Sequence, residues 1–261
     1  MNRTVNRFEN IKYLVFYQIS MSMTRYFLIF STFLSLGSVL AQEITGEQLL
    51  DRAIDYHDPN GKWKSFKGRL QVTMTTPDKK QRVSDIELNI PGQVFQLDFE
   101  QEGDNISQRV EKGQCILSLN ESSSISTEDI EKHRLTCDRA TLMKDYYTYL
   151  YGLPMKLKNP GTVISSRVER KKFKGKEYLV LKASYNEAVG KDTWYFYFDP
   201  KSYVMEVYQF FHDESKNDGE YILLSGEENA SGIKMPKTRA WYYNKDDKYL
   251  GTDVLTKTSS L

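Results

Sequence analysis

The sequence predicts an α+β fold: one large curved antiparallel β-sheet with helices covering its concave face. Three observations carry this. The stretch from Asp192 to Pro236 reads as successive strands joined by tight turns, among them Asp199-Pro-Lys-Ser202 and Gly232-Ile-Lys-Met-Pro236. Its first strand, Trp194-Tyr-Phe-Tyr-Phe198, is aromatic on both faces, and a strand apolar on both sides needs cover on both. The order of elements is helix, many strands, helices inserted mid-chain, then more strands, which suits helices lying on one face of a single sheet.

Taken in order, Thr45-Gly-Glu-Gln48 is a capping box, in which Thr and Gln side chains satisfy the free N–H groups of a helix start. Leu49, Leu50, Ala53, Ile54 and His57 follow at helical spacing, so a helix is expected over 46–57, ended by Asp58-Pro-Asn-Gly61. From Phe66, the residues Gly68, Leu70, Val72 and Met74 alternate with polar ones, the pattern of a half-buried strand. Strands over 83–90, 94–100, 106–112 and 114–119 come next. A polar loop at 120–127 leads to a short helix over 128–135.

A stronger helix is expected over 138–151. Leu142, Tyr146 and Leu150 form one stripe, Met143, Tyr147 and Tyr151 lie beside it, and Gly152 and Pro154 end it. So aromatic a helix belongs on the concave face of the sheet. Strands over 163–169, 177–185, 194–198, 203–211, 220–225, 237–243 and 249–255 complete the meander, with Asn244-Lys-Asp-Asp247 as a hairpin tip.

The amino terminus predicts export. Met23-Thr-Arg25 is a short basic start, and 26–40 is a nearly uncharged apolar run, shorter than the ~20 residues that span a bilayer. Val39-Leu-Ala41 offers small residues for signal peptidase, so cleavage is expected between Ala41 and Gln42. Residues 1–41 are read as leader, with Met21 or Met23 as a simpler start, and 42–261 as one domain. No cysteine follows the cleavage position, so no lipid anchor is expected. The four Lys/Arg and one Asp/Glu of the leader leave 32 basic and 34 acidic residues out of 36 and 35. That balance provides no electrostatic footprint for nucleic acid. Cys115 and Cys137 read as one disulfide in an exported chain. Two free thiols or a redox pair are the rival readings, without a C-x-x-C spacing to support them.

Catalytic and metal-binding patterns are sparse. His57, His133 and His212 stand in no metal-ligand spacing, and the pairings His57-Asp58 and His212-Asp213 read as surface juxtapositions. No nucleophile elbow or phosphate loop occurs, so no cofactor and no metal is expected. Asp98 and Glu100 share one face of a strand, which could serve acid–base work but reads as solvated charge.

Several runs carry a family resemblance. The amino-terminal helix, the Ile90-Pro91-Gly92 turn into Phe95-Gln-Leu-Asp-Phe99, the Phe198-Asp-Pro-Lys-Ser202 hairpin and Gly232-Ile-Lys-Met-Pro236 resemble the periplasmic lipoprotein-carrier (LolA/LppX-like) half-barrel. Asp145-Tyr-Tyr-Thr-Tyr-Leu-Tyr-Gly-Leu-Pro154 and Val189-Gly-Lys-Asp-Thr-Trp194 resemble an uncharacterised exported Bacteroidetes-type family of that superfamily. The resemblance implies an unclosed barrel, capped by helices, with an apolar interior that accepts acyl chains. The carriers hold Arg before the Pro of the strand turn and after its Phe; this chain has Ile90 and Gln96 there.

The expected function follows: a periplasmic, non-catalytic, monomeric protein binding an acyl chain, lipid or lipoprotein. The expected lining is Leu70, Val72, Met74, Phe95, Met143, Tyr146, Tyr147, Leu150, Met155, Trp194, Phe196 and Met205. Tyrosine suits a cavity mouth, with an apolar ring and a polar tip, and methionine suits irregular ligands. The rival expectation is a cell-envelope interaction or scaffold protein with a solid interior and no ligand.

Overall fold

The computed structural model describes residues 43–187 and 190–261. The leader, its cleavage position at Ala41 and Gln42, and Val189 lie outside the described residues. Twelve strands form one antiparallel sheet: β1 (Lys67–Thr76), β2 (Lys79–Asn89), β3 (Val94–Gln101), β4 (Asp104–Glu111), β5 (Gln114–Leu119), β6 (Thr162–Phe173), β7 (Lys176–Tyr185), β8 (Thr193–Phe198), β9 (Met205–Phe211), β10 (Glu220–Ala230), β11 (Ile233–Tyr243) and β12 (Tyr249–Ser260). Their order is β5-β4-β3-β2-β1-β12-β11-β10-β9-β8-β7-β6. Every sheet neighbour is a chain neighbour except β1 and β12, which join two meanders in antiparallel register from Gly68 opposite Ser260.

The sheet does not close, and its edges are β5 and β6. The chain passes from one edge to the other through helices α2 (Thr127–His133) and α3 (Cys137–Gly152). Topology therefore carries these helices across the open side. Helix α1 (Gly46–His57) precedes the sheet and has the expected capping box at Thr45 and Gln48. Leu49, Leu50, Ala53 and His57 are its buried stripe. It packs so closely on β6 that a Cβ at Gly46 would stand 1.9 Å from the Ser165 carbonyl oxygen.

One face of the sheet builds the core. Leu70 and Val72 of β1, Ile86 and Leu88 of β2, Phe95 and Leu97 of β3, Phe196 and Phe198 of β8 and Leu255 of β12 form one buried cluster with Tyr147, Leu150 and Tyr151 of α3. Burying these side chains is the main favourable term in such a fold. The alternate residues of β8 face the other way. Tyr195 and Tyr197 pack with Tyr178, Val180 and Val207 in a second cluster on the outer face. Cover on both faces was expected of this strand, and here Phe173 and lysine stems provide it, with the Lys171 and Lys182 ammonium groups 4.6 and 5.2 Å from the Tyr195 ring centroid.

All expected helices and strands occur, and several strands run longer. β10 continues to Ala230, β11 begins at Ile233 rather than 237, and β12 reaches Ser260 rather than 255. The added parts of β10 and β12 are mostly polar, so pairing with the neighbouring strand sustains them, whereas the earlier start of β11 places Ile233 and Met235 in the core. Pro236 sits inside β11, next to an irregularity of β10 where Gly226 has φ +65° and no partner in the ladder. Glycine tolerates that backbone, and the register is the same on either side of it. The strand expected from Tyr203 starts at Met205 instead. Among the described residues no helix is long and apolar enough to cross a membrane.

Candidate ligand-binding trough

The trough has the concave face as floor and α3 as its cover. Thr136 caps the start of α3, accepting from the Arg139 N–H. A disulfide between Cys115 of β5 and Cys137 pins that end to the sheet edge, with 5.7 Å between the Cα atoms. This bears out the pairing expected from the two cysteines. Leu142 was expected on the buried stripe but is 54% exposed. Tyr149, seven residues later and at nearly the same azimuth, packs against Trp194 with ring centroids 5.4 Å apart. The helix thus sinks deeper into the trough toward its carboxyl end, where it is apolar around most of its circumference.

Three of the α3 tyrosines reach different strands. Tyr146 stacks on Trp241 of β11 at 6.2 Å, and Tyr147 stacks on Phe95 of β3 at 6.2 Å. Tyr149 also hydrogen-bonds Tyr185 of β7 through their hydroxyls. Of the expected lining residues, Leu70, Val72, Phe95, Tyr147, Leu150, Met155, Phe196 and Met205 lie buried in the main cluster, and Met143, Tyr146 and Trp194 pack partly buried against it. Met74 is set apart. It sits half-buried at the rim, its sulfur 3.9 Å from the Arg82 guanidinium.

Sequence reading did not anticipate a buried polar group beneath α3. Arg239, 1% exposed, donates to the carbonyls of Pro236 at 3.0 Å and Leu150 at 3.3 Å, and its guanidinium lies 4.1 Å from the Tyr151 ring centroid. It thereby ties the last turns of α3 to the floor. Asp253 faces it directly across β11 and β12. Burial holds the Asp253 carboxyl above the usual carboxylate range, against the opposing pull of Arg239 and, less, Arg82. Burial likewise raises the hydroxyls of Tyr151 and Tyr208. Among the described residues, neither hydroxyl nor the Arg239 Nε has a hydrogen-bond partner. Inward parity with Trp241 for Arg239, and with Leu255 for Asp253, was the available signal.

His57 and Asp58 prove to be buried, not surface, neighbours. The His57 Nδ1–H donates to the Lys234 carbonyl at 2.7 Å, and Nε2 accepts from the Met205 N–H at 3.1 Å. Burial lowers its proton affinity, consistent with a neutral ring. Asp58 accepts from the N–H groups of Lys62 and Trp63. A cleft of about 350 Å³ opens beside His57, lined also by Met205, Leu224, Glu227 and Met235. The imidazole spends both nitrogens on main chain and offers none to a substrate there. His133 is buried too, its Nε2 3.0 Å from Asp104, whereas exposed His212 pairs with Asp192. Asp98 and Glu100 border an outer-face hollow of about 390 Å³ with Asp85, Ser107 and Ser118. The Gln96 amide donates to Asp98 at 2.9 Å. Among the described residues no three His, Cys, Asp or Glu are grouped to hold a metal ion.

An unclosed antiparallel sheet wrapped around a helix-covered apolar trough is the LolA-type half-barrel. A LolA superfamily protein from Nitrosomonas europaea matches with a TM-score of 0.50 at 10% identity, covering 84% of this chain and 94% of that one. An outer membrane lipoprotein-sorting protein domain from Vibrio parahaemolyticus gives 0.48 at 10%, covering 82% and 93%. A DUF1329 family protein from Desulfovibrio piger gives 0.44 at 9%, covering 82% and 92%. The chain belongs to the family of unknown function DUF6503, whose pattern it matches over residues 24–258. No curated protein matches it.

Proposed function

We propose that this protein is exported to the periplasm, carries no lipid anchor, acts as a monomer without catalysis, and binds an acyl chain or lipid in the trough beneath α3. The observation that carries this reading is the trough lining itself. Aromatic and thioether side chains from α3, β3, β8, β9 and β11 converge there around polar groups that lack partners. A cavity of mostly apolar walls with a few placed polar groups is the usual form of a small-molecule site. The half-barrel shape shared with the Nitrosomonas LolA superfamily protein agrees with it. Tyr146, Tyr147 and Tyr149 rest on the floor, so this conformation is closed, and cargo gains access when α3 lifts from its carboxyl end.

A second reading rests on the same packing. Eight of the twelve expected lining residues are buried against their neighbours, which suits a solid interior and an envelope partner bound at an edge strand. Among the described residues β5 and β6 each pair with one strand only, although the Arg167, Arg170, Lys171 and Lys172 side chains on β6 are the usual defence against further pairing. Native mass spectrometry of protein purified from the periplasm without detergent separates the two. Added mass matching a lipid supports the carrier. A clean apo mass that persists after incubation with fatty acid and phospholipid supports the scaffold.

A further inference from the structure

At the rim of the trough, Arg82 and Arg139 make no ion pair among the described residues. Arg82 projects inward from β2, on the same face as Ser84, Ile86 and Leu88. Its guanidinium lies 4.8 Å from the Phe99 ring centroid, and its Nε is buried with no hydrogen-bond partner among the described residues. Arg139 stands in the first turn of α3, half-buried, and its proton affinity is lowered by burial and then by Arg134 and Arg82. Among the described residues, arginine ion pairs are made by Arg69 and Arg109, both on the outer face. Guanidinium groups brought together in a partly dry site repel one another and are costly unless an anion joins them.

Neutral hydrogen-bonding groups face the same spot. Among the described residues, the Ser84 Oγ and the Thr76 Oγ1 on the adjoining strand are buried without a hydrogen-bond partner. The Tyr147 hydroxyl lies beside Ser84 and Arg82. Asp253 does not neutralise the rim, because it faces Arg239 directly and feels Arg82 less. Along one row of the sheet, Arg239, Asp253, Met74 and Arg82 stand on successive strands, so neutral Met74 separates Asp253 from Arg82 and the row ends positive at the rim. The apolar floor begins one step further in, at Val72 and Ile86.

We propose that this rim binds the anionic head of an acyl ligand, a carboxylate or phosphate. Arg82 and Arg139 supply the charge, Ser84 and Tyr147 supply neutral hydrogen bonds, and the tail runs along the trough. Guanidinium groups match both heads through paired N–H donors. The inference rests on the trough being a lipid site and narrows its ligand to anionic amphiphiles.

The test compares oleate with oleyl alcohol, which has the same tail and no charge, by fluorescent-ligand displacement at pH 8 below micellar concentrations. Oleate is expected to bind at least about tenfold more tightly. In R82Q/R139Q that ratio falls to near one while the alcohol binds as before, and R82K/R139K keeps part of it; near-ultraviolet circular dichroism checks that both variants are folded. Equal affinities in the unaltered protein, or a ratio unmoved in R82Q/R139Q, overturn the anion site and leave the apolar trough standing. Failure to bind either ligand removes both readings. Inorganic phosphate that displaces the probe at equal concentration to oleate makes this a free-anion site and overturns the lipid head.

Discussion

Arg239→Met tests whether α3 is held down by a buried cation. The change keeps length and apolar volume but removes two donors and a charge. The bonds to the Pro236 and Leu150 carbonyls, at 3.0 and 3.3 Å, involve a charged donor and contribute about 1.5–3 kcal/mol each. The contact with Tyr151 adds about 2 kcal/mol in a desolvated setting. Part is returned because methionine carries no charge to desolvate, so the net loss is expected at about 3–5 kcal/mol. Asp253 supplies the second signature. Its folded carboxyl already lies above the unfolded value, so ionising it destabilises the fold as pH rises through that range. Without Arg239 this penalty grows, and the deficit of the variant is larger at pH 8 than at pH 5. Urea denaturation of R239M, D253N and the double variant measures both effects. A loss under about 1 kcal/mol, or a deficit that D253N does not reduce, would refute the reasoning.

Removing the disulfide as C115S/C137S is expected to cost about 3 kcal/mol, from a sequence separation of 22 residues, by urea denaturation. Amide exchange should accelerate chiefly over 137–152 if the bridge anchors α3. G46A is expected to lose about 1–3 kcal/mol or more, because its Cβ meets backbone at Ser165 that cannot rotate away; a neutral melting temperature would contradict that packing. His57 is neutral when folded, so stability should fall as pH drops below about 6.5, by up to about 1.4 kcal/mol per pH unit. His57→Gln can make both main-chain bonds and should flatten that slope.

Much of this architecture was legible because strands with one buried face alternate and helices carry caps. Phe66 to Met74 announced β1, and the Thr45 box announced α1, almost to the residue. Leu142 misled because α3 tilts into the trough, which no single-helix pattern encodes. His57 looked superficial beside Asp58 because its partners, Lys234 and Met205, are remote in sequence. The rim arginines were hidden for the same reason. The charge of Arg82 on β2 bears on Arg139 of α3 only once the chain has folded. The lining residues were found because they are large and apolar; whether they enclose a ligand is a property of α3 closure, on which composition is silent.

The pairing of β1 with β12 has a consequence for biogenesis. The first meander gains its second neighbour only from Tyr249–Ser260, so the two halves of the sheet cannot be joined until that strand has been made. Cutting the chain ahead of Tyr249 would therefore strike the middle of the sheet and part its halves, where loss of β5 or β6 would only shorten a margin.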